Sequence, residues 1–202
     1  NTAFDLQINP ANPNLKCHRI ERIRDKNFWS ARVNKDIRLI FHREKDSLLF
    51  CYVAHHDKAY KWASRRKIET HPITGAAQIV EIRETVEEIK IPVYTKTLNP
   101  KTSRKPIYLF KENELLNYGV PIEWVKDIIN ADNDDTILTI ASHLPSEAAE
   151  AVIDLATGNK PRKPLITAGE NIDPFDHPDA KRRFKVLKGG EELLQALEYP
   201  WE

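Results

Sequence analysis

The side chains best suited to chemistry lie close together in one part of the chain. Arg32 and Arg38 fall on neighbouring predicted strands, while His55 and His56 end the next strand and are followed by Asp57 and Tyr60. Phosphodiester cleavage needs a base, an acid and cations that stabilise the charge developing on phosphorus. Histidine or tyrosine could serve as base and acid, and arginine could supply the cations. The spacing therefore indicates a site directed at phosphate.

A structural interpretation of the same residues stays open. Adjacent residues on a strand point to opposite faces, so one of His55 and His56 could simply support the fold. The two imidazoles cannot easily chelate one ion together, and no third ligand lies at a regular offset from them, so the sequence predicts no metal site. No phosphate-binding loop of the G-x-x-x-x-G-K-[ST] type occurs, so this chain alone is not an ATPase.

Charge is distributed unevenly along a chain whose formal net charge is +1. Residues 14–68 carry 15 Lys and Arg against 6 Asp and Glu, whereas residues 69–202 carry 16 against 23. A basic region of this size fits a polyanion, nucleic acid first, although a solvated surface balanced by the acidic region remains the alternative. The candidate contacts to nucleic acid are Arg32, Arg38, Lys58, Lys61 and Arg65.

The hydrophobic pattern of the first part predicts an antiparallel meander. Residues 28–33, 36–42 and 48–54 alternate as strands do, with short turns between them. The end of an amphipathic helix precedes them at residues 2–7. A further helix is predicted over residues 58–68, with Asp57 as its N-cap and with Lys58, Lys61 and Arg65 on its outer stripe.

The later part of the chain reads as a mixed segment followed by helices. Strands are predicted at 78–84 and 88–94, although 81–90 could equally be helix, and a linker follows at 98–106. Helices are predicted at 122–130, 135–143 and 147–157, the last with Ser146 as N-cap and closed by Gly158. A connector, a strand and a helix are predicted at 159–179, 183–187 and 191–197.

The predicted fold class is α+β, an antiparallel sheet with helices followed by a small α-helical subdomain. We expect four segments, which are 1–75 (α+β domain with a truncated start), 76–106 (strand-rich extension and linker), 107–158 (helical subdomain) and 159–202 (connector). No apolar run is long enough for a membrane span or a signal peptide, and Cys17 and Cys51 stand far apart. A cytoplasmic protein is therefore expected. Since methionine is absent, we also expect a fragment whose native start is missing.

Three segments resemble the sheet of the RelE/ParE toxin superfamily, namely FWSARV (28–33), DIRLIF (36–41) and YVAHHDKAY (52–60). The resemblance implies that residues 2–7 end the second helix of that fold. In ribosome-dependent toxins of this family, a strand arginine and basic, histidine or tyrosine residues after the last strand act on messenger RNA. They correspond here to Arg38, His56 and Tyr60, the catalytic residues if this chain is a nuclease. Ser30 stands where several such toxins carry lysine.

A second resemblance covers nearly the whole chain. The segments HHDKAYKWA (55–63), RRKIE (65–69), HPITGA (71–76), YGVP (118–121), LPSEAAEA (144–151) and PWE (200–202) are similar to the amino-terminal region of bacterial UvrD/Rep-like superfamily 1 DNA helicases. The implied partners are nucleic acid, DNA rather than RNA, and the helicase core of the same polypeptide. That core would bind ATP and Mg²⁺, whereas this chain would need no cofactor. Trp124 and Trp201 are the expected contacts with the core.

Three functions follow from these resemblances. The first is a nucleic-acid-binding or regulatory module of a UvrD-like ATP-dependent DNA helicase. The alternatives are a RelE-type toxin-like endoribonuclease and a non-catalytic interaction scaffold.

Overall fold

A computed structural model describes residues 2–9, 12–44, 47–83, 110–185 and 187 of the chain. The predicted α+β class is confirmed, because a four-stranded antiparallel sheet, a two-stranded sheet and several helices are present. The chain divides into two compact units, the first reaching Lys67 and the second running from Ile68 to Phe184. Within the described ranges, no helix combines the length and the apolar character needed to cross a membrane.

The first unit is built on the predicted antiparallel meander. Its strands are ordered β1-β2-β3-β4, each antiparallel to its neighbour. Its elements are α1 (Thr2–Ile8), a short 3₁₀ helix (Pro13–Leu15), β1 (His18–Arg19), β2 (Phe28–Arg32), β3 (Ile37–Glu44), β4 (Ser47–His55) and α2 (His56–Ser64). The three strands predicted from sequence correspond to β2, β3 and β4, with ends that differ by one or two residues.

One face of this sheet packs against α1. Alternation along the strands brings Ala31, Leu39 and Phe41 to this face, where they form a buried cluster with Ala3 and Leu6. The helix therefore forms from residues whose apolar side chains recur on one side and meet the apolar face of the sheet.

The opposite face of the sheet packs against α2. The ring of Trp62 lies edge-on to Phe28, with centroids 5.8 Å apart, and stacks on Tyr52 at 5.0 Å. Ala59 and Ala63 are fully buried, and their small side chains allow a close approach of the helix to the strands. We call this side of the sheet the α2 face.

The predicted helix over residues 58–68 is wrong at both ends. It begins at His56, with His55 rather than Asp57 at the N-cap position, and the backbone N–H of His56 donates to the carbonyl of Asp36 at 2.9 Å. It ends at Ser64, after which the chain enters strand β5 (Arg66–Thr70). Pairing with a second strand, β6 (Ala77–Glu81), satisfies the backbone groups there and overrides the helical pattern.

Helices are the main regular elements of the second unit. Besides β6 and the greater part of β5 it contains α3 (Glu112–Asn117), α4 (Ile122–Ile129), α5 (Asp134–Ala141), α6 (Ser146–Ala156), a 3₁₀ helix (Pro174–Asp176) and α7 (Pro178–Lys181). The helices predicted at 122–130, 135–143 and 147–157 are confirmed as α4, α5 and α6. Their apolar faces meet in one core around Trp124, which is fully buried. The expectation that Trp124 contacts a helicase core is therefore wrong.

Two smaller predictions in this unit are also wrong. Ser146 is the first residue of α6 rather than its N-cap, a position that Pro145 occupies. The described residues of the segment 183–187 form no strand, although one was predicted there. Arg183 instead lies in the turn after α7 and pairs with Glu147. The elements predicted at 88–94, 98–106 and 191–197, and Trp201, lie outside the described residues.

Two histidines, each followed by proline, tie loops of the second unit together. His71 is fully buried, where its Nδ1 accepts from the backbone N–H of Thr74 at 3.2 Å and its Nε2–H donates to the carbonyl of Val120 at 3.1 Å. His177 repeats the arrangement with Asp179 N–H (3.1 Å) and the Leu165 carbonyl (2.8 Å). Each imidazole must be neutral to accept through Nδ1.

The burial of His71 makes the stability of the second unit dependent on pH. Desolvation lowers the pKa of His71 from its ordinary value near 6.5. The contribution of buried, neutral His71 to the free energy of unfolding is therefore complete above its ordinary pKa. It is lost as pH falls from there towards the lowered pKa, by at most about 1.4 kcal/mol per pH unit. We expect urea unfolding at pH 7.5 and 5.5 to show a smaller loss of stability in His71→Gln than in the natural chain. Equal losses in both proteins would contradict this assignment.

Candidate nucleic-acid interface

Two arginines face each other on the α2 face of the sheet. Arg32 on β2 is directly opposite Arg38 on β3, and alternation puts both on the same side as Phe28, which α2 covers. The Nε of Arg32 and the Nη1 of Arg38 each donate to the carbonyl oxygen of Asn34, both at 3.1 Å. One backbone oxygen therefore holds both guanidinium groups.

Asn34 is itself fixed by the turn between β2 and β3. Its side-chain Oδ1 accepts from the backbone N–H groups of Asp36 at 2.9 Å and Ile37 at 2.8 Å. Such a bond from an asparagine side chain to the following backbone stabilises a tight turn. The turn thus determines where the carbonyl of Asn34 points, and with it the position of the two arginines.

Neither guanidinium is neutralised by a carboxylate in the part of the chain that the structure describes. In the second unit, by contrast, Arg83 pairs with Asp127 and Arg182 with Glu150. Like charges directly opposite on neighbouring strands destabilise a sheet. An anion bound between Arg32 and Arg38 would relieve that repulsion.

A cluster of two imidazoles and a phenol lies on the same face. The hydroxyl oxygen of Tyr60 on α2 is 2.7 Å from Nε2 of His18 on β1. The ring centroids of Tyr60 and His56 are 4.5 Å apart. His18 on β1 is opposite Ser30 on β2. Ser30 lies two residues before Arg32, which is a separation of about 7 Å along that strand. The structure therefore brings Tyr60 and His56 together on the face that carries the arginines.

His18 was missed from the sequence because its strand has only two residues and no alternating pattern. Its Nδ1 lies 2.9 Å from the carbonyl of Lys16, an oxygen that can only accept. We therefore assign the proton of the neutral ring to Nδ1, which leaves Nε2 to accept from the Tyr60 hydroxyl. In this tautomer the Tyr60 hydroxyl donates to Nε2 of His18, an arrangement through which a proton could pass between the two side chains.

The remaining predicted contacts to nucleic acid lie along α2 and just after its end. Lys58 and Lys61 are exposed, and Arg65, the residue after the last turn, is partly exposed. None of the three forms an ion pair with a described carboxylate. They add uncompensated positive charge to the side of the sheet that carries Arg32 and Arg38.

Two other residues singled out from the sequence supply no group to this cluster. His55 is exposed but opposite Ile37, so it faces the other side of the sheet from Arg38. Ser30 is fully buried on the α2 face, and its hydroxyl makes no hydrogen bond to any described residue. Position 30 therefore lies in the core and supplies no cation to the surface.

The two cysteines are free thiols. Cys51 donates to the carbonyl of Leu49 at 3.2 Å, and burial raises the pKa of its thiol to about 12. Burial also raises the pKa of Cys17. Neither thiol is thus an activated nucleophile, since the reactive form is the thiolate. Over the described ranges, no group of three or more His, Cys, Asp or Glu side chains is arranged to hold a metal ion.

Comparison with known proteins does not extend these observations. No family model, no curated protein and no solved structure matches the chain.

Proposed function

We propose that the first unit binds single-stranded nucleic acid through the α2 face. The observation that supports this most strongly is the Arg32–Arg38 pair, two arginines that share one carbonyl acceptor and have no carboxylate partner among the described residues. Lys and Arg contacts to phosphate supply most of the affinity in sequence-independent binding. Guanidinium groups suit this role because their forked N–H donors match the geometry of phosphate oxygens.

The biological setting of this activity is a further part of the proposal. On the sequence resemblance alone, the chain is an amino-terminal nucleic-acid-binding or regulatory module of a UvrD-like ATP-dependent DNA helicase. Its ligand is then DNA, and the helicase core of the same polypeptide binds ATP and Mg²⁺. The free thiols of Cys17 and Cys51 fit a reducing compartment such as the cytoplasm.

The helicase setting is tested by deletion. In a helicase that carries this region before its motor, removal of residues 1–202 is expected to weaken DNA binding and lower DNA-stimulated ATP hydrolysis. Unchanged DNA affinity, ATPase and unwinding would make the region an independent passenger domain.

Salt dependence provides the basic test of binding. Each phosphate contact to a single strand contributes about −0.7 to the slope of log affinity against log salt concentration. Anisotropy of a labelled single-stranded oligonucleotide should therefore give a strongly negative slope, and charge reversal of Lys61 and Arg65 should flatten it. Absence of binding at low salt, or binding that salt does not change, would leave the basic region as ordinary surface.

The second candidate function is cleavage of RNA, which the contact between His18 and Tyr60 favours. The side chains that could serve as base and acid, His18, His56 and Tyr60, lie on the same face as the Arg32–Arg38 cations. We nevertheless expect inefficient cleavage, because position 30 is buried and offers no further cation. Loss of one such stabilising group typically costs about 10² to 10³ in rate. Robust cleavage of ribosome-bound messenger RNA that Arg38→Ala and His56→Ala abolish would instead establish the nuclease.

A further inference from the structure

We propose that the Arg32–Arg38 pair is a subsite for a phosphate monoester, so that the first unit binds a phosphorylated strand end in preference to an internal phosphodiester. This inference rests on the proposed function and specifies its ligand. Three observations support it. The two guanidinium groups have N–H donors that make no hydrogen bond, they have no carboxylate partner among the described residues, and the β2–β3 turn holds them in place.

The two guanidinium groups are close enough to hold one phosphate together. Both donate to the Asn34 carbonyl oxygen at 3.1 Å, so the two donor nitrogens lie within about 6 Å of each other. Arg32 uses only Nε, which leaves both of its terminal nitrogens. Arg38 uses only Nη1, which leaves Nε and Nη2 as one edge of its fork. A phosphate placed between them could accept from both groups.

The charge of the pair matches a monoester better than a diester. A terminal phosphate monoester carries about −1.5 to −2 at neutral pH, as a phosphorylated side chain does, whereas an internal phosphodiester carries one negative charge. The two guanidinium groups carry +2, and the carboxylate of Asp36, two residues after Asn34, forms no ion pair with either of them. A monoester also offers three terminal oxygens as acceptors, one more than a diester.

Asn34 acts here as a positioning residue. Its Oδ1 closes the turn onto Asp36 and Ile37, and its carbonyl aligns the two guanidinium groups. Without this alignment, each arginine would still attract phosphate as a separate charge. The preference for a dianionic end should therefore depend on Asn34 more strongly than overall affinity does.

The test compares oligonucleotides that differ only at their ends. Single strands of one sequence carry a 5′-phosphate, a 3′-phosphate or hydroxyls at both ends, and binding to the complete chain is measured at fixed salt. We expect one of the phosphorylated strands to bind at least about tenfold more tightly than the hydroxyl strand, since one added hydrogen bond between charged groups strengthens binding by about that factor. Inorganic phosphate should compete with the phosphorylated strand and reduce that advantage.

Three variants identify the origin of the preference. Arg32→Lys with Arg38→Lys keeps both charges but removes the forks, and it should reduce the preference severalfold while retaining salt-dependent binding. Asn34→Ala should lower the ratio of the affinity for the phosphorylated strand to the affinity for the hydroxyl strand. A general loss of stability would not change this ratio. Lys26→Gln, an exposed cation of the same unit, is the matched control and should leave the ratio unchanged.

The outcomes separate this inference from the proposed function. Equal affinity for phosphorylated and hydroxyl strands, with binding that still depends on Arg32 and Arg38, would overturn the monoester subsite and leave nucleic-acid binding standing. A preference of unchanged size in the double lysine variant would also overturn it, since net charge alone would then explain the whole effect. Failure of every strand to bind at low salt would overturn the proposed function itself.

Discussion

Replacing Arg32 and Arg38 together with glutamine is expected to weaken binding of single-stranded DNA about 100-fold or more at low salt. Each arginine offers charge-assisted hydrogen bonds to phosphate worth about 1.5–3 kcal/mol, and the two act at one place. The slope of log affinity against log salt should become shallower by about 0.7, because the contact to the one phosphate that the pair holds is lost. Fluorescence anisotropy over a range of salt concentrations measures both quantities.

Charge-matched controls separate this local effect from a general loss of positive charge. Lys26→Gln removes an exposed cation of the first unit, and Arg162→Gln removes one of the second. Both should change affinity far less than a substitution in the arginine pair. Equal losses in all of these variants would mean that the whole basic surface attracts DNA without a defined site.

Removing the indole of Trp124 is expected to destabilise the second unit by about 3–5 kcal/mol, the usual cost of truncating a large buried aromatic to alanine. The side chain is 0% exposed, and its Nε1–H donates to the carbonyl of Glu81 at 2.9 Å. The ring also stacks on His143, with centroids 5.3 Å apart. Trp124→Ala therefore leaves a cavity and removes the hydrogen bond to the Glu81 carbonyl, and urea unfolding would detect the resulting loss of stability.

The matched control lies on the same helix. Ile122 is 59% exposed, so Ile122→Ala should change stability by no more than about 0.5 kcal/mol. A stability of Trp124→Ala close to that of the natural chain would contradict the position of this residue in the core. It would also reopen the interpretation of Trp124 as a contact with a partner.

The sheet of the first unit was predictable because its strands show the alternation of apolar residues that is typical of a sheet. Alternation along β2 and β3 separates Ala31, Leu39 and Phe41 from Phe28 and the other residues of the α2 face, and each set is buried by a different helix. Helices α4, α5 and α6 of the second unit were predictable for the same reason, whereas the shorter α3 and α7 were not predicted. In α4, for example, Trp124 and Ile128 recur at helical spacing and both are buried.

Other features depended on contacts that no local pattern records. Strand β5 follows α2 directly, and its backbone is extended because β6 pairs with it. His18 enters the site from a strand of two residues, so periodicity could not find it. The two arginines were expected on neighbouring strands, but their common acceptor, the Asn34 carbonyl, is a backbone atom whose direction only the folded turn determines.

The most direct test of the account locates the bound strand on the protein. In a chain labelled with ¹⁵N, the side-chain signals of Arg32, Arg38 and His18 and the indole signal of Trp124 are followed by NMR while a single-stranded oligonucleotide is added. Binding at the α2 face predicts that the Arg32 and Arg38 Nε–H signals shift most, that His18 follows, and that Trp124 in the core of the second unit does not move. Saturable binding that shifts Trp124 or other second-unit signals while Arg32 and Arg38 stay unchanged would contradict the account.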